Sequence, residues 1–231
     1  MEPIELDLAS TSDKETVMLQ PEVKHAFDII SSIFSFACTL LYIRASVYAW
    51  PIGLIAISID CFLYSQTGIY GDMSLEVFYF ISTLYGWYAW AHGGNQKTPL
   101  PISHIHWQHV RKLIFIALIG IALTAYFLIH DTNSKIPYLD SSTTILSIIA
   151  QWLICRKKIE NWILWFFIDA TYSALFIIKG LPAHSILHII YCGMAVVGYW
   201  HWYRLMKKNQ TQSCGLRKCS TKRASGVFGS G

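Results

Sequence analysis

Apolar residues gather along this chain into seven runs, about 26–43, 47–66, 73–91, 111–130, 141–155, 160–178 and 183–203, with most of the charge in the short stretches between them. A helix needs about 17–25 predominantly apolar residues to cross the hydrocarbon of a bilayer. The pattern therefore predicts an all-α membrane protein with seven transmembrane helices. Pro51 falls in the first turn of the second run, where its missing N–H is tolerated, and the glycines Gly68 and Gly71 mark a tight connection over 67–72.

The runs repeat. At a constant offset of 112 residues, Asp28 answers Asp140, Ser35 answers Ser147, Arg44 answers Arg156, Trp50 answers Trp162, Tyr79 answers Tyr191, Gly86 answers Gly198 and Trp90 answers Trp202. The fourth run has no counterpart. The spans thus group as three, one and three, and the first and fifth cross in the same direction. Two parallel three-helix repeats related by an axis along the membrane normal are expected, with a solute path at their seam. The corresponding segments are a polar leader (1–25), a first repeat (26–92), a loop and linker helix (93–130), a second repeat (131–205) and a disordered basic tail (206–231).

Charge supplies the orientation. Of the 18 Lys and Arg, all but Lys14, Lys24, Lys135 and Lys179 fall on the side that receives Arg44, Arg111, Lys112, Arg156, Lys157, Lys158 and the tail. Basic residues near span ends stay cytoplasmic, so the N-terminus is expected outside and the C-terminus in the cytoplasm. Topology accounts for the net charge of +4, and no nucleic-acid partner is implied. The leader holds Glu2, Glu5, Asp7, Asp13, Glu15 and Glu22 against two lysines. It lacks the cationic start of a secretory signal.

The candidate chemistry sits in the sixth run. Trp162, Trp165 and Asp169 are spaced three and four residues apart, which puts them on one helical face. A carboxylate inside a membrane helix costs about 2.5–3.5 kcal/mol on insertion scales, so it is expected beside protein, water or a counter-charge. Two indoles and an anion on one stripe suit a flat aromatic cation. Asp60 in the second run and Gln151 in the fifth are further polar groups at depth, while the serines of the first run have the ordinary role of bonding between helices. No phosphate-cradling glycine loop occurs, and no nucleophile with a base and a third orienting group. Neither ATP, a cofactor nor an enzymatic reaction is indicated.

At YGWYAW (85–90), LDS (139–141) and RKKIENWILW (156–165) the chain resembles the PnuC family of bacterial vitamin transporters, over nearly all of its hydrophobic region. The resemblance implies uptake of nicotinamide riboside across the inner membrane by facilitated diffusion, with cytoplasmic phosphorylation trapping the solute. It also implies homotrimers and a three-one-three arrangement like that of the SWEET sugar facilitators, and some relatives carry thiamine. The family's Asn-Trp-x-x-Trp falls on Asn161, Trp162 and Trp165, the indoles being those that stack on the solute ring. Asp169 stands where nicotinamide riboside carriers typically have Asn, Ala56 where they have another Asn, and Asp60 where an apolar residue is usual. The expectation is a facilitator of a cationic vitamin, nicotinamide riboside first and thiamine as the alternative, or a proton-coupled carrier using Asp60 and Asp169. Trp162 and Trp165 would stack the ring, Asp169 would face its charge, and Asp60, Gln151 and Tyr172 would hydrogen-bond the remainder.

Overall fold

The computed structural model describes residues 21–67, 70–93, 99–131, 136–178 and 182–226. These form seven helices: α1 (Pro21–Ile43), α2 (Ala49–Thr67), α3 (Tyr70–His92), α4 (Trp107–Asp131), α5 (Pro137–Cys155), α6 (Asn161–Ile178) and α7 (Pro182–Gly226). Prolines open α1, α5 and α7, where the first N–H groups have no intrahelical partner to lose. The leader up to residue 20, positions 68–69 of the expected tight turn, and 132–135 lie outside the described residues. Five helices start one to five residues before the apolar runs, because first turns carry polar residues that a hydropathy reading assigns to loops, while α2 and α6 start two residues and one residue inside theirs.

One boundary differs more. The composition past Arg204 predicts disorder from 206 onward, whereas α7 is helical to Gly226. The segment 205–226 contains no proline, and extending a nucleated helix costs little per residue. Low apolar content predicts the absence of a packed face and does not by itself forbid a helix.

Within the first half, α2 packs on α1 and on α3; within the second, α6 packs on α5 and on α7. The halves meet through α3 against α5 and α1 against α7, while α4 lies on α5. The stretches Glu22–Ile43 and Trp107–His130 are long and apolar enough to cross a bilayer on length and composition. On α4, Phe115, Leu118 and Leu123 are each about 65% exposed. An apolar exterior of this kind suits a lipid solvent better than water.

The repeat is visible atom by atom in the turns. After α1, Ala45 N–H bonds the Tyr42 carbonyl at 2.9 Å and Ser46 N–H bonds the Leu41 carbonyl at 3.0 Å; after α5, Lys157 bonds Ile154 at 2.9 Å and Lys158 bonds Leu153 at 2.9 Å. This paired closure is a Schellman cap, whose C′ residue adopts the left-handed conformation. Ala45 has φ 53° and Lys157 φ 52°. A glycine would ease both positions, but none is present.

Tryptophans then hold the turns. A Cβ on Gly198 would stand 2.7 Å from the Trp162 ring, and Gly86 leaves the same room for Trp50. Trp50 meets Trp90 edge-on at 5.2 Å and 86°, and Trp162 meets Trp202 at 5.5 Å and 88°. These rings, with Ile43, Ile102, Ile154, Ile159 and Met206, are the core, and it sits at the end of the bundle where the two basic turns lie. The chain leaving α3 is tied to the second half there. Ser103 N–H bonds the Lys157 carbonyl at 3.2 Å, and the Glu160 carboxylate takes His104 at 2.8 Å and the Ile105 N–H at 3.1 Å. Lys157, buried beneath this segment, lays its ammonium 4.3 Å from the Trp90 ring centroid.

Candidate functional site

The seam between the halves encloses a cavity of about 420 Å³, closed at one end by the tryptophan core. α1 contributes Ser35, Thr39 and Tyr42; α3 contributes Glu76; α5 contributes Gln151 and Ile154; α6 contributes Trp162, Trp165 and Asp169; α7 contributes His188, Tyr191 and Ala195. A second lobe of about 220 Å³ shares six of these walls and extends toward Cys38, Gly53, Ala56, Asp60, Tyr79 and Thr83 of the first half. The α6 stripe read from spacing therefore faces this cavity and not lipid. The helix turns that way because its opposite face, with Ile163, Phe167 and Ile177 exposed, is apolar throughout.

Asp169 is not a bare anion. Its Oδ1 lies 2.9 Å from His188 Nδ1 of α7, with both side chains mostly buried. The imidazole is held in turn by Tyr172, its ring 5.2 Å away at 31°, and meets Tyr191 edge-on at 6.2 Å. Tyr172 thus touches the histidine and is not a wall of either lobe, in contrast to its expected direct contact. One turn along α6 from Asp169, its side chain is drawn to the ring it can stack on.

Asn161 also departs from expectation. It is fully buried at the first position of α6, with Nδ2 donating to the Lys158 carbonyl at 2.6 Å, outside the cavity walls. The amide donates back into the α5–α6 turn, while its Oδ1, the acceptor a helix cap would use, is buried without a hydrogen-bond partner. Trp162 is buried against Gly198 and Trp202 and presents part of its ring to the larger lobe, while Trp165 lines both lobes. Gln151 lines both as well, its amide donating to Ser82 at 3.2 Å and Thr83 at 3.4 Å. Asp60 borders the smaller lobe and accepts a hydrogen bond from Ser31. Tyr79 donates to Ser147 across the seam at 2.8 Å.

Sequence reasoning missed Glu76 and His188 as cavity residues. A signal existed: 188 minus 76 is 112, so the two are repeat partners, and both are ionisable residues inside apolar runs. Among the described residues lining the two lobes, Asp60, Glu76 and Asp169 supply carboxyl groups, His188 is basic, and no Lys or Arg occurs. Such a set favours a cation or a donor-rich solute and disfavours an anion. Aromatic rings with a few convergent polar groups are the make-up of a small-molecule pocket.

Comparison with known proteins agrees with this geometry. The profile of the nicotinamide mononucleotide transporter family matches residues 25–204. The nicotinamide riboside transporter PnuC of Escherichia coli (strain K12) is 27% identical over 201 residues, covering 76% of this chain and 84% of that protein. The riboflavin/roseoflavin transporter RibM of Streptomyces davaonensis is 23% identical over 181 residues, covering 76% and 84%. A crystal structure of the vitamin B3 transporter PnuC superposes with a TM-score of 0.62 at 20% identity, over 81% of this chain and 88% of that one, and shares the fold. With the family profile spanning every helix from α1 into α7, the chain belongs to the nicotinamide mononucleotide transporter family, that of the PnuC transporters.

Proposed function

We propose that this protein imports a cationic vitamin, nicotinamide riboside in the first place, by facilitated diffusion across the bacterial inner membrane. In this reading residues 26–92 and 131–205 are two parallel three-helix modules joined by the linker helix, the SWEET-like three-one-three arrangement. The N-terminus is outside, the C-terminus is cytoplasmic and the chain works as a homotrimer. The observation that carries it is a cavity at the seam walled by Trp162, Trp165 and Asp169 and lacking any basic side chain but His188. Relatives named for nicotinamide riboside support the choice of solute. Thiamine, also an aromatic cation, is the alternative within the same class, and the two acids Asp60 and Asp169 suit it equally well.

The Asp169–His188 contact at 2.9 Å favours one second reading, in which a proton exchanged at this pair drives transport. Both readings are tested in proteoliposomes containing the purified protein. Uptake of labelled nicotinamide riboside or thiamine down its gradient, unchanged by a pH gradient and abolished by Trp165→Ala, is the expected result. Uptake that requires the pH gradient selects proton coupling. Absence of uptake for both cations overturns the transport assignment.

A further inference from the structure

The repeat makes the two lobes comparable position by position, and at their most informative position they are opposites. Gly53 in α2 is the partner of Trp165 in α6, since 165 minus 53 is 112. The second half fills this place with an indole; the first half leaves it empty. A Cβ on Gly53 would already stand 3.0 Å from the Cys38 sulfur and 3.8 Å from the Tyr42 hydroxyl. Gly53 borders the lobe of about 220 Å³, so any side chain there would crowd Cys38 or narrow the lobe. Asp60 borders that lobe two turns further along α2, opposite in the repeat to Tyr172.

The larger lobe, at about 420 Å³, is by itself of the size that holds a small ligand, commonly about 300–1,000 Å³, and the smaller lobe falls below it. The smaller lobe adjoins the indole-lined one, sharing Thr39, Glu76, Gln151 and Trp165 among its walls. Apart from the Gln151 amide, whose NH2 is spent on Ser82 and Thr83, its polar walls are acceptors or hydroxyls, Asp60, Glu76, Tyr79 and Thr83 among them. Asp60 accepts from Ser31, and a carboxylate has about four acceptor sites, so it can take more donors.

We propose that the Gly53–Asp60 lobe is a second subsite, which receives a hydrogen-bond-donating ring joined to the aromatic cation, and that Asp60 is the residue that selects two-part cations over a bare ring. The ring cation lies on Trp165 of the second half; the attached ring, a ribose or an aminopyrimidine, donates to Asp60 of the first. The asymmetry between the halves then fixes which way round the solute binds. This rests on the transport reading of the same cavity.

The test uses the full-length protein and calorimetric binding of three probes: 1-methylnicotinamide, which is the ring cation alone, nicotinamide riboside and thiamine. The wild type is expected to bind at least one two-part cation about tenfold or more tighter than the ring alone, the worth of one hydrogen bond to a charged group. Asp60→Asn removes that margin and leaves the ring-alone affinity unchanged; Gly53→Ala, which narrows the lobe without touching a charge, acts in the same sense. Trp165→Ala weakens all three probes. If Asp60→Asn lowers all three equally, or none, while Trp165→Ala still weakens all three, the subsite is wrong and the transport reading stands. If the wild type binds none of the three, both fall together.

Discussion

Trp90 and Trp202, repeat partners whose rings lie 5.8 Å apart, exchange bonds across the seam. Trp90 Nε1 donates to the Ile154 carbonyl at 2.8 Å and Trp202 Nε1 donates to the Tyr42 carbonyl at 2.9 Å. Tyr42 and Ile154 are themselves repeat partners. Each indole thus crosses to the last turn of the first helix of the other half, where carbonyls lack intrahelical partners. The two halves are fastened at this end by a reciprocal pair of bonds buried in the aromatic core.

Removing either donor has a definite consequence. Trp90→Phe loses the bond to Ile154 and Trp202→Phe the bonds to Tyr42 and Ile43; the Ile154 and Tyr42 carbonyls keep their turn donors, Lys157 and Ala45 N–H, and each change opens some space, for a combined cost of about 1–3 kcal/mol. Thermal melting of the detergent-solubilised protein is expected to fall for both variants by similar amounts. The double variant departs from additivity because the rings touch. A drop for one variant and none for the other contradicts the reciprocal role.

Two glycines of α7 give a second test. Gly198 faces Trp162 at a distance that no Cβ tolerates, whereas a Cβ on Gly193 meets nothing within 4 Å. Both are interior positions of α7. Gly198→Ala should destabilise by about 1–3 kcal/mol through overpacking. Gly193→Ala should stabilise by about 0.5–1 kcal/mol through helix propensity and the lost freedom of the unfolded chain. The same melting experiment separates them, and equal behaviour removes the packing account.

Periodicity and the repeat made much of this legible. The apolar runs locate the helix ends to within about five residues, the C-terminal end of α7 excepted, and the α6 spacing of Trp162, Trp165 and Asp169 marks the face that turns inward. What could not be read was contact between helices distant in sequence. The partner of Asp169 is His188, brought to it by α6–α7 packing, and a sequence shows which residues share a face but not which face opposes it. Tyr172 follows Asp169 on the same side of α6, which points it to the solute, while the structure spends its ring on the histidine. Asn161 carries the family's motif, yet sits at the turn with its Nδ2 donating to the Lys158 carbonyl, a contact that spacing alone does not show.

Asp169 now has two claimants, the histidine and a solute cation. Asp169→Asn keeps the shape and a hydrogen bond to His188 but removes the charge. It should weaken nicotinamide riboside by about tenfold or more, the scale of a single charged contact. Benzamide riboside, a neutral isostere, should lose less. Calorimetry on the two ligands checks it, and equal losses remove the charge from the recognition.

Lys157 gives a prediction in pH. It lies in the turn between α5 and α6, and burial pushes its ammonium from 10.5 down to about 8. Between about 8 and 10.5 the unfolded chain therefore binds more protons than the folded one, so the contribution of this group to stability rises with pH across that window. Below it both states are charged and the burial cost is felt in full; above it both are neutral and the cost is gone. The attraction of the ammonium to the Trp90 ring at 4.3 Å works the other way, so the pH slope isolates the proton better than the stability at one pH. Lys157→Met keeps an unbranched apolar stem over the indole and removes the titration. The stability of the variant minus that of the wild type should fall steadily as pH rises from 8 toward 10.5, measured by melting in detergent. A difference that stays flat through the window means that the ammonium is not buried in the folded protein.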